Sequence, residues 1–234
     1  MDKIFLFDVD GTLTPSRQAM DPAFKQFFIN FQLAHPTYLV TGSDFPKTLE
    51  QVGWQPIFSA KKTFHCSGNE CREQAKVVYK NEWEPPKDLL AELVRILLDD
   101  EYTVRTGNHI EMRTGSLNFS VVGRNATPEQ REHYKKFDAS FLHRKDMVYL
   151  LSNKFPDISF QIGGETGIDI FPRGADKRQV IKYLPEAEIY FFGDAVHDYG
   201  NDQPLASAVY KRNGFVFGVK NWRETMELLK SDNF

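Results

Sequence analysis

Residues 3–7, Lys-Ile-Phe-Leu-Phe, run directly into Asp8-Val9-Asp10-Gly11-Thr12, and this junction constrains the chain more than any other stretch. An apolar run of β-branched and aromatic residues reads as a buried strand, and the glycine permits a sharp turn where two carboxylates emerge. Open α/β sheets place their chemistry at such strand ends. Alternation predicts Asp8 and Asp10 on one side, sharing a small site, an expensive arrangement unless a cation or bound substrate balances the charge. Asp8 can attack phosphorus to form an acyl phosphate. Asp10 can protonate a departing sugar oxygen and later deprotonate an incoming one. Mg²⁺, which prefers oxygen ligands, would hold carboxylate and phosphate together. Paired aspartates in a loop are usually a capped turn with exposed acids. The preceding strand, Gly11-Thr12 and the partners downstream argue against that here.

The 234 residues, 41% of them hydrophobic, suffice for one large domain or two small ones with real cores. A net charge of −3 with scattered basic residues gives no electrostatic case for nucleic acid, so anionic partners should be small molecules met locally. No apolar run could span a bilayer, and the N-terminus enters a strand rather than a secretory signal, so a cytoplasmic location is expected. The two cysteines, Cys66 and Cys71, are too few for a disulfide framework and lack the neighbours of a zinc site, and both read as ordinary thiols.

Along the chain, Thr14 to Gln18 reads as a short flap. Arg17 within it could reach a phosphate at Asp8, although a lone loop arginine is ordinarily a solvated charge. Pro22 opens a helix with Phe24, Phe27, Phe28 and Phe31 on one face. A second strand from Thr37 ends in Thr41-Gly42-Ser43-Asp44, followed by a helix over about 45–52. Ser43 can donate to a phosphate oxygen near a helix N-terminus, or it can serve as the helix N-cap, a role for which Asp44 competes. The βαβ rhythm predicts a parallel sheet. Residues 57–60 read as a third short strand and 76–80 as part of a hairpin.

From residue 82 the pattern changes. Glu84-Pro85-Pro86 precedes a helix burying Leu89, Leu90, Leu93, Ile96 and Leu97. Short strands are expected over 102–106, 109–113, 117–122, 159–162 and 168–171, with helices over about 128–137 and 138–155. This is antiparallel α+β, a small domain inserted into the first. Arg113, Arg124 and Arg131 stand out in it. Each alone reads as a surface charge, but together they would make a guanidinium cluster suited to phosphate. The first domain then resumes. Asp176-Lys177-Arg178 opens a helix to about 183, where Lys177 could neutralise phosphoryl charge. Residues 188–194 are expected as another buried strand ending in Gly193-Asp194, with Asn201-Asp202 close behind, and an acid at that strand end facing Asp8 would supply the further carboxylate that Mg²⁺ needs. Residues 215–219 and a helix over 222–230 complete the sheet.

Taken in order, Asp8-Val9-Asp10-Gly11-Thr12, Thr41-Gly42-Ser43, Asp176-Lys177 and Phe192-Gly193-Asp194 with Asn201-Asp202 resemble the four motifs of the haloacid dehalogenase-like (HAD) phosphotransferases, with a type-IIB cap inserted between the second and third. Within that superfamily the chain is most similar to the eukaryotic-type phosphomannomutases. The stretches Arg17-Gln18, Gly42-Ser43-Asp44-Phe45, Ile110-Glu111-Met112-Arg113, Leu117-Asn118, Gly123-Arg124, Gln130-Arg131, Ile162-Gly163-Gly164 and Ile168-Asp169-Ile170-Phe171-Pro172 carry this resemblance over nearly the whole chain.

The resemblance implies a HAD-like Rossmannoid α/β core over 1–81 and 173–234, with an antiparallel α+β cap over 82–172. It implies Asp8 as the phosphorylated nucleophile and Asp10 as the acid/base. Asp8, the Asp10 carbonyl and Asp194 would be the Mg²⁺ ligands, supported by Asp202. Arg17, Ser43 and Lys177 would bind the transferring phosphate, and Arg113, Arg124 and Arg131 the distal one. Asn118 and Asp169 would contact the sugar hydroxyls or phosphate. A hexose 1,6-bisphosphate activator and a homodimer through the cap are likewise implied. The chain departs from the family pattern at 65–71, where His65-Cys66-Ser67-Gly68-Asn69-Glu70-Cys71 replaces a Glu-Asn-Gly context, at 195–199, and at Gly167, where serine is usual.

Three functions compete. A mutase moves phosphate between the 6- and 1-positions of mannose or a related hexose through a bisphosphate, and needs two phosphate sites. A sugar-phosphate phosphatase, in which water attacks phospho-Asp8, needs one, which leaves the cap arginines surplus. A non-catalytic binding module should have lost one of Asp8, Asp10, Lys177 or Asp194, and all four are present. Mutase and phosphatase differ physically in water exclusion, because an acyl phosphate open to water hydrolyses.

Overall fold

The computed structural model describes residues 2–198 and 200–231, which leaves Tyr199 of the divergent 195–199 loop outside the described residues. Two compact units emerge, one of residues 1–81 with 175–234 and the other of residues 82–174.

In the first unit β1 (Lys3–Phe7) is followed by α1 (Pro22–Ala34), β2 (Thr37–Val40), α2 (Phe45–Val52), α3 (Trp54–Ser59) and β3 (Lys62–His65), then the strands β4 (Glu70–Glu73) and β5 (Lys76–Lys80). The second unit contributes α4 (Lys87–Asp99), β6 (Ile110–Arg113), β7 (Ser116–Phe119), α5 (Pro128–Phe141), α6 (His143–Lys154), β8 (Ile158–Gly163) and β9 (Gly167–Pro172). The chain returns through a 3₁₀ helix (Lys177–Tyr183), β10 (Glu188–Gly193), α7 (Gln203–Lys211), β11 (Phe215–Gly218) and α8 (Trp222–Lys230).

The seven-stranded sheet runs β11-β10-β1-β2-β3-β4-β5. Its first five strands are parallel, and the β4–β5 hairpin extends it antiparallel. Its central strands are apolar on both faces because both are covered. Phe5 and Phe7 point into a cluster with Phe24, Phe28 and Phe31 of α1, while Ile4 and Leu6 join Val180, Leu205 and Val209 on the other side. β10 follows the same parity. Tyr190 and Phe192, in register with Phe5 and Phe7, stack on them at 5.2 and 4.9 Å between ring centroids. The strand-to-carboxylate junction is thereby clamped on three sides, and the Asp8 N–H extends the ladder by donating to the Phe192 carbonyl at 2.9 Å.

The second unit carries an antiparallel sheet in the order β6-β7-β9-β8, packed through Leu117, Phe119, Ile168 and Ile170 onto Leu89, Leu93, Tyr134 and Leu151. Among the described residues no helix is long and apolar enough to cross a membrane.

Several sequence-based boundaries move. Residues 57–59 belong to α3 rather than a strand. Pro56 sits in its first turns, Ile57 packs into the α1 cluster, and strand pairing starts only at Lys62. Residues 102–106 are not a strand, and Arg105 within them donates to the carbonyls of Leu97 and Tyr102. The α5–α6 break falls at Leu142, in the left-handed region at φ +53°, rather than after Phe137. The turn from Lys177 is 3₁₀ throughout, and α7 was not anticipated.

Candidate active site

Parity in β1 decides what Asp8 meets. As the residue after Phe7 it continues the Ile4–Leu6 side, the face covered by the 3₁₀ helix and α7. Lys177 and Asp202 stand at the starts of those two elements. The Lys177 ammonium donates to Asp8 Oδ1 and to Asp202 Oδ1, both at 2.6 Å, and all three side chains are at most 4% exposed. The Thr12 hydroxyl lies 3.4 Å from the other Asp8 oxygen, and the Ala195 N–H donates to Asp202 Oδ2 at 3.1 Å. Lys177 is therefore no solvated first-turn lysine. Burial opposes its charge, but Asp202 and Asp8 outweigh that and hold it above its ordinary range.

Asp10 has hydrogen-bond partners of its own. The strand ends at Phe7, so alternation does not carry on to residue 10, although the Asp10 charge still acts on Asp194 of the Asp8 cluster. Asp10 Oδ1 accepts from the Arg17 N–H at 2.6 Å and from Gln51 Nε2 at 2.9 Å, and Oδ2 faces the Ser43 hydroxyl at 3.3 Å. Asp44 takes the N-cap of α2, accepting from the Lys47 N–H, which leaves the Ser43 hydroxyl directed at Asp10. Arg17 meets the site through its backbone, in a left-handed conformation at φ +60°, while its side chain is exposed.

Asp8, Asp194 and Asp202 each present an oxygen within 4.8 Å of the others. Three carboxylates face one ammonium. Burial first and Asp202 next push Asp8 well above the usual carboxylate range despite Lys177. Asp194, at the exposed rim, is pushed up to about 6 by partial desolvation and then by Asp202. An under-neutralised donor set made only of oxygens suits a hard divalent cation. The carboxylate of Asp10 lies outside this trio. Gly11, at φ +80°, leaves the space that Asp194 fills, since a Cβ there would lie 2.3 Å from Asp194 Oδ2.

In the 82–174 unit, sheet register builds a second cluster. Glu111, Asn118, Asp169 and Gln161 pair successively across β6, β7, β9 and β8, forming one polar row, with Arg113 two residues from Glu111 on the same face. Arg113 binds Glu111 at 2.5 Å and Asp169 at 3.1 Å, Arg124 approaches Glu111 at 3.5 Å, and Asn118 donates to Asp169 at 2.7 Å. Arg131 instead donates to the carbonyls of Ala126 and Arg124, bracing the loop that carries Arg124. Gly163 and Gly167 lie on the same face, and a Cβ on either would meet Asp169 or Asn118 under 3.0 Å. Glycine at 167 thus makes room for the Asn118 amide.

Two residues escaped the sequence reading. Glu111 links two arginines, and its signal was the i, i+2 spacing to Arg113 on a strand. Gln51 holds Asp10, and its signal was a polar residue on the buried face of α2 between Thr48 and Val52.

A parallel α/β core with Asp8 at a central strand end and an inserted antiparallel unit is the haloacid dehalogenase-like fold. A haloacid dehalogenase-like hydrolase from Bacteroides thetaiotaomicron matches 99% of this chain and 99% of its own at a TM-score of 0.61 and 13% identity. An IMP-nucleotidase of Plasmodium falciparum matches 98% of this chain and 67% of its own at a TM-score of 0.64 and 14% identity. The profile of the eukaryotic phosphomannomutase family matches residues 24–230. A phosphomannomutase of Dendrobium officinale is 35% identical over 211 residues, 86% of this chain and 84% of that protein. The chain belongs to the eukaryotic phosphomannomutase family.

Proposed function

We propose that this chain is a phosphomannomutase, interconverting mannose 6-phosphate and mannose 1-phosphate through phospho-Asp8 and a hexose bisphosphate. The observation that supports this reading is a second cluster with phosphate-binding side chains, Arg113 and Arg124 paired with Glu111 and Asp169 beside Asn118, in addition to Lys177 at Asp8. A bisphosphate needs both.

In the first half-reaction an Asp8 oxygen bonds to phosphorus as the bond from phosphorus to the sugar oxygen breaks, and Asp10 gives that oxygen its proton. The opposite transfer makes the bisphosphate: the free hydroxyl of a hexose monophosphate loses its proton to Asp10 and attacks the phosphorus of phospho-Asp8, the Asp8 carboxylate departs, and the bisphosphate turns so that its other phosphate meets Asp8. Lys177 keeps its charge throughout and holds Asp8 oriented. Magnesium, when bound, neutralises carboxylate and phosphoryl oxygens, and Asp8, Asp194 and the Asp10 carbonyl would hold it with Asp202 in support. Ser43 and Arg17 would donate to the transferring phosphate. Arg131 acts on the distal phosphate through Arg124, and a homodimer through the 82–174 unit accompanies this reading.

The test is a ³¹P NMR time course with Mg²⁺, mannose 1-phosphate and a trace of hexose 1,6-bisphosphate, repeated with glucose 1-phosphate. Conversion to the 6-phosphate with little free phosphate, faster for mannose, is expected. Inorganic phosphate as the main product would replace the reading with a sugar-phosphate phosphatase.

A further inference from the structure

Gln51 is 2% exposed. Burying a carboxamide is unfavourable unless its polar atoms are matched, and a helix packing only on a core would place an apolar residue there, as it does with Val52. Gln51 instead spends both its N–H groups on the loop after β1, donating to Asp10 Oδ1 at 2.9 Å and to the Thr14 hydroxyl at 3.1 Å. Its own carbonyl accepts the Met20 N–H at 2.8 Å, so one residue ties both ends of the 10–20 segment to α2. Gln51 Oε1, in contrast, is buried with no partner, so the amide is oriented by what its nitrogen holds.

Among the described residues two other donors reach Asp10, the Arg17 N–H at 2.6 Å from an exposed loop in a left-handed conformation and the Ser43 hydroxyl at 3.3 Å. Of these three donors, Gln51 alone reaches the carboxyl from the buried face of a helix.

We propose that Gln51 is a positioning residue that sets the orientation of the Asp10 carboxyl for proton exchange with the sugar oxygen, without touching substrate itself. The inference rests on Asp10 being the acid/base. Proton transfer is needed where the leaving group is a sugar oxygen, and not where nitrophenolate departs unaided.

The experiment compares the wild-type full chain, Gln51→Leu, Gln51→Met and Asp10→Asn, all with Mg²⁺. Two rates are read: steady-state conversion of mannose 1-phosphate with trace hexose 1,6-bisphosphate, and the pre-steady-state burst of nitrophenolate from p-nitrophenyl phosphate, which reports only phosphorylation of Asp8. Both Gln51 variants are expected to lose about 10–100-fold in kcat on the sugar phosphate, with KM within about twofold and the burst within about threefold of wild type. Equal loss in both assays, or none in either, overturns the inference, and Gln51→Met serves if Gln51→Leu does not fold. Asp10→Asn separates the two readings. If it retains mannose 1-phosphate turnover, the acid/base assignment fails and the inference with it. If it shows the split and the Gln51 variants do not, only the inference fails.

Discussion

Lys177 and His65 show how single buried groups are matched or mismatched to their surroundings. Removing Lys177 leaves Asp8 and Asp202 as neighbouring buried carboxylates, and breaking a buried pair this way costs about 3–5 kcal/mol. Lys177→Met should therefore lower stability to urea by that order at pH 7 and by less at low pH, where Asp8, held above the usual carboxylate range by burial and Asp202, takes up a proton. An equal loss at both pH values would mean that packing, not charge, is responsible. His65 is fully buried between Thr48 and Thr63. The Thr48 hydroxyl donates to the Asp44 carbonyl at 2.8 Å, so it accepts from His65 Nδ1, and Nε2 accepts from Thr63. The neutral ring is thus satisfied, and burial, then Arg72, depress its pKa from 6.5 to about 3. The unfolded chain binds the proton first as pH falls, so this group's stability contribution is complete above about 6.5 and is lost toward 3, by up to about 1.4 kcal/mol per pH unit. His65→Gln should flatten urea stability against pH over that window. An unchanged slope would clear His65 of the effect.

At the scale of elements, the joints hold the strain. Leu142 is 53% exposed and sits at φ +53° between α5 and α6, where a side chain other than glycine is disfavoured. Leu142→Gly should stabilise the chain to urea by about 0.5–1 kcal/mol, the relief of strain exceeding the extra unfolded-state entropy. A loss instead would show that its apolar contacts, not its backbone, govern the joint. The turn after β3 concentrates the same feature, with Cys66, Ser67 and Gly68 all at positive φ. That turn is held by Cys66 and Ser67 N–H groups donating to the Ser43 and Thr41 carbonyls. The divergent 65–71 segment thus supports the Ser43 loop.

For the molecule as a whole, charge is unevenly met. The trio Asp8, Asp194 and Asp202 belongs to the 1–81 and 175–234 unit, so metal binding should act on that unit. Millimolar Mg²⁺ should raise the thermal midpoint of that unit, by about 2.7 kcal/mol of stability at a hundredfold excess over Kd, and EDTA should reverse it. Scanning calorimetry would read this, and Asp194→Asn should diminish it. An identical shift in the variant would place the ion elsewhere.

Much of this was legible locally. The apolar run into Asp8 and the helix of phenylalanines after Pro22 each follow from a period of 2 or 3.6, which neighbouring residues determine among themselves, whereas Asn118 and Asp169 were expected only from the family resemblance. The parallel core and the inserted antiparallel sheet followed from those periods. Tertiary structure decided the rest. Whether 54–59 is helix or strand depended on packing against α1. Which carboxylate Lys177 meets, 169 residues away in sequence at Asp8, depended on which sheet face the 3₁₀ helix covers. Gln51 became visible only when α2 brought it to Asp10. Periodicity is a local property, whereas the partner of a buried charge or amide is chosen by whatever distant element closes over it, because a buried polar group must find its match wherever the chain supplies one.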